Sequence, residues 1–177
     1  MFRLGSVGLG AIIALGTFII LLQIELIPYL AGAGGPQPGP PPGAPPVDRP
    51  PSFGQQFAAL PPWVVVWMHF QDIIMAASLF FVLWRKEAQI YAAAIIANHV
   101  FLFALMPFIP PEKVTLGIAA LSHYFWIIPL VVMMRKWPQL DKRTGYGTWM
   151  TVAIAQIVFS LIFDIPDGIE FLVQLFS

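Results

Sequence analysis

The chain has 177 residues, 58% of them hydrophobic and 10% charged, with nine basic against nine acidic side chains and a mean hydropathy of +0.78. Soluble domains carry about 25% charged residues, so this composition belongs to a bilayer, and zero net charge with the basic residues placed at segment ends argues against nucleic acid as a partner. Cysteine is absent, which excludes thiolate metal sites, iron–sulfur clusters, disulfides and covalent c-type haem.

The first apolar run, VGLGAIIALGTFIILLQIELIPYL, covers roughly residues 7–30 behind Arg3. A basic start, an apolar run and Ala31-Gly32-Ala33 are also the three parts of a signal peptide. The run is longer than the usual h-region of about 7–15 residues, so an uncleaved span, signal-anchor-like over 1–31, is the expectation. Residues 32–61 follow, a stretch dominated by proline and glycine with no apolar period. Such a segment forms no core and is expected as a polyproline-like linker outside the membrane, a spacer or a strap along a protein partner.

Residues 62–177 hold four further runs, at 62–84, 88–109, 114–134 and 146–163. Each suits a span of about 20 residues, and the short turns between them make consecutive helices antiparallel neighbours. The fold expected is all-α: five spans plus a short C-terminal interfacial helix. Trp63, Trp84, Trp137 and Trp149 fall near span ends, where indole rings favour the headgroup layer and could also meet protein partners. If the spans alternate, Arg3, Arg85, Lys86, Arg135, Lys136, Lys142 and Arg143 share one side against Arg49 and Lys113. That bias puts the N-terminus in the cytoplasm and the C-terminus outside, in keeping with a multi-pass protein of a bacterial inner membrane.

Ionisable side chains inside a span cost a few kcal/mol each, about 2.5–3.5 on insertion scales. All three histidines, His69, His99 and His123, lie within predicted spans. Counted from the span ends at about 1.5 Å per residue, Asp72, His99 and His123 fall near midplane, with His69 one turn further out. His69 and Asp72, at i and i+3, share a helix face. Gln156, Ser160 and Asp164 recur at i, i+4 and i+8, a polar stripe that must face the bundle. Asp167 and Glu25 add carboxylates in the outer half. Pro166 is expected to stop the fifth span, with Asp164 capping a new helix over about 165–176, and Pro129 is expected to bend the fourth a turn past His123.

These residues point to two kinds of centre. His69, Asp72, His99, His123 and Asp164 form a nitrogen and oxygen ligand set suited to zinc, iron, copper or manganese. Alternatively, His99 and His123 from adjacent helices clamp a haem b between them. A redox step on a small or lipid-soluble substrate would then fit better than hydrolysis. Two other readings use the same side chains: proton or cation passage, and interhelical glue in a non-catalytic subunit of a larger membrane complex. The four lysines all sit in turns, which removes a retinal Schiff base, and no P-loop, GxSxG or HExxH occurs.

Overall fold

The computed structural model describes residues 56, 59–110 and 113–177. The expected first span and most of the linker, with Arg3, Glu25 and Arg49, lie outside the described residues. The described chain is helical, with no strand among its residues. Helix α1 is Pro62–Ser78, and α2 is Lys86–Leu105, continued by a 3-10 turn at Met106–Phe108. Helices α3, Gly117–Ser122, and α4, Ile127–Lys136, are joined by a 3-10 turn at His123–Trp126. A further 3-10 turn, Trp137–Gln139, leads to α5, Gly145–Phe176.

Three continuous helical runs, Lys86–Phe108, Gly117–Gln139 and Gly145–Phe176, are long and apolar enough to cross a membrane. The first described helix is shorter than its apolar run. α1 has 17 residues, and the rest of the run to Trp84 is turn. The buried Ser78 hydroxyl donates to the Met75 carbonyl, a back-bond that bends helices, and the next amides tighten to i−3 partners, Leu79 to Ala76 and Phe80 to Ala77.

The bend expected at Pro129 takes the form of the 3-10 turn just before it. Pro129 has no N–H for the Phe125 carbonyl and its ring crowds that group, so the preceding turn tightens. Pro166 behaves differently from expectation. It lies inside α5, which runs unbroken for 32 residues, and there is neither a separate terminal helix nor a cap at Asp164. Packing on both sides of the proline keeps the helix continuous through it. Leu161 joins the main core before Pro166, and Gly168 and Phe171 are buried after it.

α5 begins firmly. The Thr144 hydroxyl accepts the Gly147 N–H at 3.1 Å, which satisfies one of the amides left open at a helix start. Gly147 must be glycine, because a Cβ there would stand 2.2 Å from the Asp141 carbonyl oxygen. Along its length α5 supplies the core face: Trp149, Met150, Ala153, Ile157 and Leu161 meet Ile74 and Met75 of α1, Tyr91 and Ile95 of α2, and Trp126 and Met133. Its far end packs on α3, where Phe171 joins Ile109 and Ile118 in a second small core. The outward surface is apolar as well, with Val66, Ile73, Phe103, Ile128 and Ile162 all more than half exposed. A solvated monomer seldom presents so much large apolar surface, and hydrocarbon tolerates it.

Candidate functional site

The polar stripe of α5 faces the bundle, and each of its members meets a different part of the chain. Gln156 accepts the Tyr91 hydroxyl through Oε1 at 2.9 Å. Ser160 accepts the Gln71 side-chain amide. Asp164 takes the third, at 2.9 Å from Nδ1 of His123. An ionised carboxylate only accepts, so His123 carries a proton on Nδ1 in this pair. One residue on, the Tyr124 hydroxyl donates to the Ile165 carbonyl at 2.8 Å, with its ring lying over Gly168, where a Cβ would come within 2.9 Å of the hydroxyl.

His99 is held within its own helix. Nδ1 lies 2.7 Å from the Ile95 carbonyl, which can only accept, so the proton sits on Nδ1 and Nε2 carries the lone pair. His69 and Asp72 share a face as expected, Nδ1 to Oδ2 3.9 Å, but the His69 side chain is 67% exposed and that of Asp72 25%. The inward face of α1 is instead Gln71, Ile74, Met75 and Ser78. At 100° per residue, His69 stands about 200° round the helix from Gln71.

Family models, curated proteins and solved structures gave no match to this chain. The site therefore rests on its own geometry. Among the described residues, no group of three or more His, Asp or Glu side chains could hold a metal ion. His69, Asp72, His99, His123 and Asp164 do not gather into one cluster. They divide into the α1 pair, the His123–Asp164 pair and His99 on its own carbonyl. His69 stands off the inward face because depth along a helix says nothing of rotation about its axis.

Several polar contacts fall on residues the sequence did not single out. The Tyr146 hydroxyl donates to Glu87 at 2.8 Å while the Arg85 guanidinium lies 4.7 Å above the same ring, tying the start of α2 to the start of α5. Trp149 is no interfacial anchor: it is buried, and its indole N–H donates to the Ile74 carbonyl at 3.1 Å. Gln71 and Tyr91 were detectable in principle as polar atoms inside apolar runs. Two buried atoms have no partner among the described residues, Asn98 Oδ1 and Gln156 Nε2.

Proposed function

We propose that this chain is a multi-pass integral membrane protein serving as a non-catalytic packing subunit, its intramembrane polar groups acting to lock helices together. The observation that carries the reading is the division of labour along α5, where Gln156, Ser160 and Asp164 each bind a different partner, Tyr91, Gln71 and His123. A catalytic or conducting centre gathers polar groups at one point, whereas glue spreads them over several interfaces. The five-span arrangement, N-terminus in the cytoplasm and C-terminus outside, belongs to this proposal. Asp164 stands about 29 Å along α5 from Gly145 at about 1.5 Å per residue. In a hydrocarbon core of about 30 Å the His123–Asp164 pair then sits toward the outer boundary rather than at midplane. Because the chain lacks cysteine, single cysteines at positions 142 and 113 give a direct topology test with an impermeant thiol reagent. Position 142 should label only from the cytoplasmic side and position 113 only from outside.

One detail favours a second reading. Both His99 and His123 have Nδ1 occupied, by a carbonyl and a carboxylate, which is the orientation in which an imidazole presents Nε2 to a metal. Two such rings suit the axial positions of a haem b or half of a four-coordinate ion set. The experiment that separates the two readings is metal mass spectrometry with an absorbance spectrum on detergent-purified protein, repeated for the His99→Gln/His123→Gln variant. The packing reading expects no stoichiometric metal, no Soret band and a modest loss of stability in the variant. Stoichiometric metal or a Soret band, lost in the variant, overturns it in favour of the second.

A further inference from the structure

One end of the described bundle carries Arg85, Lys86, Arg135, Lys136, Lys142 and Arg143, with Lys113 alone at the other. The contacts of Arg85 and Glu87 with Tyr146 bring the turn before α2 against the start of α5, and the segment 135–144 leads straight into that start. Two carboxylates share this end, and both are engaged in hydrogen bonds. Glu87 accepts the Tyr146 hydroxyl, and Asp141 accepts the Arg143 amide N–H. All six cations except the half-buried Lys136 are exposed.

Two of the cations are seated on aromatic rings. Lys142 Nζ lies 3.8 Å over Trp137, whose indole N–H is itself fixed to Thr151 at 2.9 Å, and Arg85 sits over Tyr146. Cation–π seating holds Lys142 at the level where an exposed indole ring prefers to lie, the headgroup layer, and fixes Arg85 on the buried Tyr146 at the start of α5. Directly beside them the surface is apolar, with Trp84 58% and Met134 54% exposed. A ligand that satisfies both surfaces at once needs an anionic group joined to hydrocarbon. Free phosphate or nucleic acid offers only the first.

We propose that this end is a seat for the headgroups of anionic phospholipids, with Lys142 and Arg143 as its central contacts. The proposal rests on the membrane reading above and adds a lipid preference to it. Each basic residue close to an anionic membrane surface strengthens attraction by about fivefold.

The test uses the full chain. Insertion is measured first, as resistance to alkaline extraction from vesicles of pure phosphatidylcholine. The protein is then reconstituted in nanodiscs of phosphatidylcholine with a minor share of phosphatidylglycerol, and the lipids it retains are counted by native mass spectrometry. The expected result is insertion in neutral lipid together with phosphatidylglycerol retained at least about fivefold above its share, the effect of a single basic residue. The Lys142→Gln/Arg143→Gln variant should lose that excess, while Lys142→Arg and Lys113→Gln keep it. Retention at the bulk share in the wild type, or an excess untouched by the double variant, refutes the lipid seat alone. Failure to insert in neutral vesicles refutes the membrane reading, and the lipid seat falls with it.

Discussion

Gly117→Ala tests the packing of α3 on α5 most sharply. A Cβ at position 117 would stand 2.6 Å from the Cβ of Phe171 and 3.2 Å from the Asp167 carbonyl oxygen. Carbon atoms in contact rest about 3.5–4.0 Å apart, so the two helices must separate locally by about 1 Å. Neither neighbour can yield alone, since one is main chain and the other is the first side-chain atom of Phe171, only 2% exposed. Overpacking of this kind costs about 1–3 kcal/mol. Against it, alanine gains about 0.5–1 kcal/mol over glycine in a helix. Subtracting the two ranges leaves about 0–2.5 kcal/mol, so the clash prevails and the variant should be less stable by up to about 2.5 kcal/mol. Gly145→Ala supplies the control, since a Cβ there meets nothing within 4 Å and should leave stability equal or raised. Thermal unfolding in detergent, followed by tryptophan fluorescence, measures both. A Gly117→Ala protein as stable as Gly145→Ala would refute the close approach of α3 to α5.

Other interfaces give separate expectations. Tyr91→Phe should cost about 1–3 kcal/mol, because Gln156 is left with no partner for either side-chain polar atom at 1% exposure. Adding Gln156→Leu should recover much of that loss, and a double variant no better than Tyr91→Phe in the same melt would argue against the bond. His123→Phe and Asp164→Leu should each lower stability by about 0.6–2 kcal/mol, and together by less than their sum, as a double-mutant cycle requires of partners; strict additivity would mean the 2.9 Å contact is energetically idle. Thr144→Ala should cost about 1 kcal/mol through loss of the cap on Gly147, read as faster amide exchange confined to the first turn of α5.

Much of this was legible in the sequence, and the gaps have physical causes. Three of the apolar runs, 88–109, 114–134 and 146–163, located helices long and apolar enough to cross a membrane, because a spanning backbone must satisfy its polar groups within its own segment; the run at 62–84 is helical only as far as Ser78. The stripe Gln156, Ser160, Asp164 disclosed the inner face of α5 because polar groups at one helical period cannot all avoid the bundle. Pro166 misled because its local rule counts a lost hydrogen bond and a ring clash, while the partners that bury Gly168 and Phe171, Tyr124 and the α3 residue Gly117, lie far away in sequence. The pairing of the five proposed ligands was not legible for a related reason. Each is polar in an apolar run, but which partner it meets depends on the rotation of its helix, set by residues such as Gln71 and Met75. His123 and Asp164, 41 residues apart, carry no pairing signal along the chain.

The unequal ends of α5 make the molecule an electrical object. Its start lies among Arg135, Lys136, Lys142 and Arg143, and its far half carries Asp164, Asp167 and Glu170, in the same sense as the positive-to-negative direction of a helix dipole. Moving one unit charge across 100 mV takes about 2.3 kcal/mol. In the orientation proposed above, a voltage negative on the basic side therefore favours that insertion over its inverse by several kcal/mol, so an energised membrane would hold the rod upright in that sense.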